Sequence, residues 1–293
     1  MFDRKKLILW LVATLSLGNF LIWQATSFFD GKLHVYFLNV GQGDSILIRT
    51  PNRQTILVDG GPDDAVIKLI DRYLPIWQRQ LDLVVATHPE TDHITGLVDL
   101  LKLKRLKVKR VLSLLTEKDT AIGRAWSDEL AGGHYRVDYA SASSDYNFGD
   151  VQWDTLYPLN SDDTAANIND SAIVARLIYQ QHQLLLTADA SSTTEATISN
   201  IYGNTLRSDI LKVGHHGSKS SSSDGFLQLV SPAVAAISVG ENGYGHPTKE
   251  ALTRILSVGA NIYRTDLDDT IEVIFTNNGY IVKTNGQKEF YSQ

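Results

Sequence analysis

The hexapeptide His88-Pro89-Glu90-Thr91-Asp92-His93 brings four nitrogen- or oxygen-bearing side chains into six positions. It leaves the apolar run Leu83-Val84-Val85-Ala86-Thr87 directly. Polar loops ordinarily draw on Ser, Asn and Lys as well, so a plain surface loop explains this composition poorly. Imidazole and carboxylate at such density suit divalent cations. On a turn, His88 and Glu90 can face one cation while Asp92 and His93 face another. There is no cysteine in the 293 residues. That excludes disulfides, zinc ribbons, iron–sulfur ligation and a thiolate nucleophile. Any metal must be held by His, Asp and Glu.

Further strings follow the same style of strand end and polar turn. They are Val58-Asp59-Gly60-Gly61, Thr187-Ala188-Asp189-Ala190, the segment Lys212-Val213-Gly214-His215-His216-Gly217-Ser218-Lys219-Ser220, and Tyr244-Gly245-His246-Pro247. Five of the eight histidines fall in these motifs, whereas His34, His134 and His182 read as ordinary strand or loop residues. With Asn39-Val40-Gly41-Gln42-Gly43-Asp44, the strings in this order resemble the metallo-β-lactamase superfamily. Within it they resemble the hydrolase domain of ComEC/Rec2-type competence proteins, which handle DNA during uptake. The likeness covers residues 33–275.

The resemblance implies an α/β fold, the αβ/βα four-layer sandwich, with one or two metals at the sheet edges. It implies that His88 and Glu90 hold one metal and Asp92 and His93 the other. Asp189 would bridge them and His216 would complete the set. His215 would face substrate, or the two neighbours exchange roles. Asp92, His215 and His246 are thus the expected catalytic residues, His246 protonating the leaving oxygen or binding phosphate. Asp59 would fix the ligand loop from behind, and Asp44 would buttress Asp59 or that loop. Ser171, Ser218 and Lys219 are expected substrate contacts. The expected cofactors are two divalent ions, Zn²⁺ or Mn²⁺. Two such ions roughly 3.5–4 Å apart clamp the attacking and departing oxygens of a phosphodiester.

Two departures from the family pattern stand out. Asn167-Ile168-Asn169-Asp170-Ser171 occupies the stretch where the broad family has a histidine, which argues against a β-lactamase and leaves the first metal poorer in protein ligands. Glu90 stands where this branch usually has Asp, one methylene shorter. Gly41-Gln42-Gly43-Asp44 lacks the third glycine and the Lys-Ser/Thr ending of phosphate loops, so a hairpin turn beneath the site is expected. The run Lys102–Arg110 has six basic residues in nine. No aromatic is interleaved for base stacking, so a solvated helix end is favoured over a phosphate-tracking patch.

The elements that must position these residues are short. Strands are expected at Leu33–Leu38, Ser45–Arg49, Thr55–Val58, Leu83–Thr87, Arg110–Leu114, Val151–Tyr157 and Ser171–Tyr179. More follow at Gln183–Thr187, Asp209–Val213, Val234–Val239, Asn261–Arg264 and Ile271–Phe275. Hairpin signals lie at Pro51-Asn52, Asn277-Asn278-Gly279 and Asn285-Gly286. Helical periodicity fits Asp63–Tyr73, Gly96–Leu103, Ala121–Leu130, Ser191–Ile201, Asp224–Val230 and Thr248–Val258. Strands pairing first as hairpins and then alternating with helices predict two mixed sheets covered by helices.

Residues 1–30 form a separate segment, ahead of a hydrolase domain over 31–293. Arg4, Lys5 and Lys6 precede the uncharged run Leu7–Trp23. Seventeen helical residues rise roughly 26 Å, near the lower limit of a membrane span. Trp10 and Trp23 suit interfacial anchors, and the basic flank points inward, placing the domain outside the cytoplasm. A cleaved signal peptide and secretion are the alternative. The net charge of −6 excludes a bulk nucleic-acid binder. The leading expectation is an extracytoplasmic metal-dependent phosphodiesterase or nuclease acting on DNA in a competence-like role. The alternatives are a cell-envelope phosphodiesterase of the phosphorylcholine-esterase kind and a non-catalytic binding or channel-assembly module. Expected partners are DNA or another phosphodiester polymer, the membrane through the N-terminal helix, and a separate membrane channel protein.

Overall fold

The computed structural model describes residues 4–28, 30–116, 118–163, 167–276, 278–284 and 289–291. Among these residues, two mixed sheets face each other across an apolar interior, each with helices on its outer side. This is the αβ/βα sandwich. The first sheet has nine strands: Glu289–Tyr291, Gly279–Thr284, Ile271–Thr276, Leu33–Phe37, Ile46–Arg49, Thr55–Val58, Leu83–Ala86, Arg110–Ser113 and Arg136–Tyr139, in spatial order. Neighbours are antiparallel up to Thr55–Val58 and parallel beyond it. The second sheet has seven. Tyr146–Phe148, Val151–Tyr157, Val174–Tyr179 and His182–Leu186 pair antiparallel, and Ile210–Lys212, Val234–Ile237 and Asn261–Arg264 continue parallel.

Interior strands such as Thr55–Val58, Leu83–Ala86 and Val234–Ile237 are nearly all apolar, as expected of strands covered on both faces, whereas Val151–Tyr157 alternates. Successive side chains then enter different layers. Val35 and Phe37 join the inter-sheet core, where Trp153, Leu177, Leu186 and Ala236 meet them from the second sheet. Tyr36 and Leu38 pack on the opposite face under Ile70, Ile94, Leu97 and Trp126. Leu185, Leu211 and Ile237 do the same beneath Ile198, Phe226 and Ile255.

Two boundaries differ from expectation in ways that matter for the site. The helix starting after Glu90 spans Thr91–Leu103, five residues earlier than Gly96. Asp92 and His93 therefore ride its first turn rather than a loop, where the carboxylate also complements the helix dipole. Ser171 closes a 3-10 turn over Ile168–Ser171, and the strand begins only at Val174. The strands Arg136–Tyr139, Tyr146–Phe148, Gly279–Thr284 and Glu289–Tyr291 go beyond the expected set, and all lie at or next to a sheet edge. Pro51-Asn52 does join a hairpin; Asn277 and Asn285-Gly286 lie outside the described residues.

Arg4–Phe28 forms one helix of 25 residues. Its stretch Arg4–Ile22 is long and apolar enough to cross a membrane, and 0% of it is buried. Trp10 is exposed, while the side chain of Trp23 lies outside the described ones. His34, in the strand that follows, is more than an ordinary strand residue. Its Nδ1 lies 2.7 Å from Glu272 Oε1 and its Nε2 3.0 Å from Asp30 Oδ1, so it ties the post-helix segment to the sheet.

Candidate metal centre

The chemistry gathers at the carboxyl ends of strands, where parallel sheets leave open backbone and a crevice. Asp59 follows Thr55–Val58, His88 follows Leu83–Ala86, Asp189 follows His182–Leu186 and His216 follows Ile210–Lys212. Asp189 is the hub. Its Oδ1 lies 3.4 Å from His93 Nε2 and 3.5 Å from His216 Nε2. Its Oδ2 lies 4.0 Å from His88 Nε2 and 3.8 Å from His215 Nε2. Asp92 Oδ2 is 3.3 Å from His216 Nε2. Asp92, His93, Asp189 and His216 each offer one ligand atom, all within 4.8 Å of one another.

The far edges of the rings decide what these atoms are for. His93 Nδ1 bonds Asp59 Oδ2 at 2.8 Å, and His216 Nδ1 bonds the Ser238 carbonyl at 2.8 Å. His88 Nδ1 lies 3.0 Å from Thr87 Oγ1, whose own proton goes to Asp59 Oδ2 at 2.7 Å. Each partner accepts, so each Nδ1 donates, and the Nε2 edge of each ring is turned toward Asp189. His88 Nε2, His93 Nε2, His216 Nε2 and Asp189 Oδ1 are buried without a hydrogen-bond partner among the described residues. Leaving so many buried polar atoms unmade is costly. Three imidazole nitrogens converging on carboxylates are the donor set of a divalent cation, and the residues fit that group.

Electrostatics separates the members. Burial pushes His88 well below its usual pKa, and the nearby His93 adds to this. Burial also acts on His93 and His216, but Asp189 outweighs it, joined by Asp59 for His93 and by Asp92 for His216, so both stand above the usual value. Burial would raise Asp189 and Asp92; His216 and His93 hold both below the usual carboxylate range. For Asp59 burial wins over His93, and its carboxyl is raised. Burial lowers both His215 and His246.

Backbone strain concentrates here too. Asp59 (φ 56°), Ala188 (45°), His215 (46°) and His216 (52°) are all left-handed. Each such residue costs on the order of 1–3 kcal/mol and persists only where its surroundings over-determine it.

The expected site residues do not all arrive. Asp44 supports the metal loop: its N–H donates to the Asp92 carbonyl, and its carboxylate pairs with Lys212 and lies 3.6 Å from His216 Nδ1. Glu90 lines the cleft, yet its carboxylate pairs with Lys118 and stands outside the four-residue ligand group. His215 and His246 line the same cleft as Asp189. Ser171, Ser218 and Lys219 do not. The 3-10 turn buries Ser171 and brings Asn169 to the cleft instead. Gly217, at φ +82°, turns the chain beneath Pro247, so Ser218 is buried with its hydroxyl on Ser220, and Lys219 is exposed beyond it. In the basic run, Arg105, Lys109 and Arg110 pair with Asp71, Asp82 and Asp138.

Two residues had no role in the sequence reading. Lys212 is fully buried, pairs with Asp44 and donates to the Ala188 carbonyl at 2.8 Å. Its signal was a lone charge inside the apolar run Ile210-Leu211-Lys212-Val213. Thr87 holds His88 and Asp59 together, and nothing in its sequence context marked it.

Comparison with known proteins agrees with this architecture. The family model of the metallo-beta-lactamase superfamily matches residues 38–241. The chain is 30% identical over 265 residues to ComE operon protein 3 of Bacillus subtilis (strain 168), covering 83% of this chain and 33% of that protein. It is 27% identical over 285 residues to competence protein ComA of Neisseria gonorrhoeae, covering 96% of this chain and 38% of that protein. It thus spans about a third of the length of the curated relatives it matches. The solved metallo-beta-lactamase fold protein YhfI from Bacillus subtilis superposes with a TM-score of 0.54 at 13% identity, over 80% of this chain and 97% of that one. At that identity the likeness concerns the fold.

Proposed function

Since the chain belongs to the metallo-beta-lactamase superfamily, we propose that it is a metal-dependent phosphodiesterase that cleaves DNA in a competence-like role. The observation that carries this is the convergence of orphaned Nε2 atoms of His88, His93 and His216 on Asp189. Similarity to competence protein ComA and to ComE operon protein 3 supports DNA as the substrate class.

Asp92, His93, Asp189 and His216 would hold one Zn²⁺ or Mn²⁺. His88 and the other oxygen of Asp189, with His215 or Glu90, would hold a second. Such ions, when bound, polarise a phosphate and activate water, so no protein nucleophile is needed. The chain's own residues do the rest. Asp59 and Thr87 fix the ring tautomers, and Asp44 and Lys212 lock the two sheets together behind the ligands. His215 and His246, held below the usual histidine value, are neutral near pH 7 and offer ring N–H groups to phosphate oxygens.

In this proposal residues 1–30 anchor the chain in a membrane and residues 31–293 form the hydrolase domain. Arg4, Lys5 and Lys6 stay in the cytoplasm and the domain lies outside. The proposed partners are DNA and a separate membrane channel protein.

The test uses the full chain in detergent micelles with Mn²⁺ or Zn²⁺, assayed on single-stranded DNA, duplex DNA and bis-p-nitrophenyl phosphate. Asp92→Ala serves as the blank. Cleavage of DNA above the blank is expected. Wild type matching the blank on all three substrates would overturn the proposal.

A further inference from the structure

The loop Gly240–Pro247 is tied into shape by one side chain. Asn242 Oδ1 accepts the N–H groups of Tyr244 and His246, both at 3.1 Å. Its Nδ2 donates to the carbonyls of Gly240 and His246, at 2.8 and 2.9 Å. The base of the loop is pressed on the Gly41–Gly43 turn: Gly240 N donates to Gln42 Oε1 at 3.3 Å, and a Cβ at Gly240 would stand 2.4 Å from Gln42 N. At the tip of this rigid loop Tyr244 is 76% exposed. Its ring stacks on His246 with centroids 5.8 Å apart and planes 29° apart. His246 in turn meets His215 edge-on at 5.5 Å, and His215 Nε2 faces Asp189 Oδ2 at 3.8 Å. Three rings thus descend from solvent to the carboxylate hub, and Tyr244 and His246 line the same cleft as Asp189.

A large aromatic side chain held rigid in solvent beside a polar cleft loses the hydrophobic gain it would have if buried. What it offers is a flat face at a fixed distance from the reacting centre. We propose that Tyr244 is a base-binding platform, on which an unpaired nucleobase stacks while its neighbouring phosphate lies over Asp189. This deepens the DNA phosphodiesterase assignment above and rests on it. Every base has a π-face, so the platform accepts any base. Duplex DNA keeps its bases inside the stack and must pay unstacking before it can use the platform. The preferred substrate is therefore single-stranded nucleic acid, and Asn242 positions the platform.

Binding is measured by fluorescence anisotropy in EDTA, using the full chain in detergent micelles. The probes are a labelled oligodeoxythymidylate and a labelled abasic phosphodiester of equal length and charge. Tyr244→Ala is expected to weaken oligodeoxythymidylate binding roughly 5- to 150-fold, the range for loss of one stacked base. Tyr244→Phe is expected to retain wild-type binding, and abasic binding is expected to be equal in all three proteins. A change below twofold for oligodeoxythymidylate, or an equal loss on both probes, would overturn the platform. Hydrolysis with Mn²⁺ is read separately. Tyr244-dependent binding without any cleavage would refute the phosphodiesterase assignment and leave the platform standing.

Discussion

Asp189 meets the same edge of three imidazoles because the other edge of each is already engaged, by Asp59, by Thr87 and by the Ser238 carbonyl. The Nε2 edges are thus aimed by hydrogen bonds made at the far side of each ring. Asp59→Asn puts an amide in place of the carboxylate that receives His93 Nδ1–H and the Thr87 hydroxyl. Mn²⁺ affinity is expected to fall about 10- to 100-fold with the circular dichroism spectrum unchanged; calorimetric titration giving the wild-type affinity would refute this role. Lys212→Met leaves the Asp44 carboxylate buried and uncompensated, and is expected to cost about 3–5 kcal/mol in urea unfolding. The double variant Lys212→Met/Asp44→Leu is expected to recover most of that loss. The residues gathered around Asp189 were legible in sequence because imidazoles and carboxylates of a kind a metal needs form a narrow set, and His88, Asp92 and His93 sit almost adjacent. Their supports were not, since Thr87 is an unremarkable strand-end residue and the Asp44–Lys212 pair spans two sheets. Ser218 and Lys219 misled because adjacency to His216 says nothing of direction once three successive residues are left-handed.

At the scale of elements, the helix Thr91–Leu103 is seated by glycine. Gly60 N donates to the His93 carbonyl at 2.7 Å, Gly96 N donates to the Gly61 carbonyl at 3.1 Å, and a Cβ at Gly96 would stand 2.0 Å from Gly60 O. Gly96→Ala must lift the helix off this loop. A loss of about 3 kcal/mol is expected, together with weaker Mn²⁺ binding, because His93 rides the same turn. Thermal unfolding and the metal titration check both; an unaltered melting temperature would refute the seating. The early start of this helix escaped the sequence because Asp92 and His93 interrupt the apolar periodicity that marks its body. The sheets were more legible, since strands covered on both faces read as unbroken apolar runs, whereas edge pieces such as Arg136–Tyr139 carry mixed residues. A second element-scale consequence concerns His34, which joins Asp30 to Glu272. Burial would raise Glu272, but the hydrogen bond and charge of His34 hold it below its ordinary value of 4.5. A depressed carboxylate stabilises the fold above its unfolded pKa, and that stabilisation disappears as pH falls through the lower folded value. Wild-type stability is therefore expected to drop below about pH 4.5, and His34→Gln to be less stable at pH 7 with a shallower acid slope. Parallel slopes for the two proteins in urea unfolding across pH 3–7 would refute the link.

Across the whole molecule, a compact four-layer domain follows one apolar helix whose stretch Arg4–Ile22 is 0% buried among the described residues. If that helix is an anchor, the full chain is expected to float with phosphatidylglycerol-containing vesicles on a density gradient, and a chain beginning at residue 31 to stay at the bottom. Equal distributions would remove the membrane from the account. The helix leads through Asp30 into the strand Leu33–Phe37, which lies inside the nine-stranded sheet between Ile271–Thr276 and Ile46–Arg49. The near end of this strand holds the His34 joint; past its far end the chain reaches Asn39–Asp44, against the ligands. Five extended residues span roughly 17 Å. The strand thus carries the ligand cleft at the end opposite the one where the apolar helix joins the chain, like the open end of a cup on a stem.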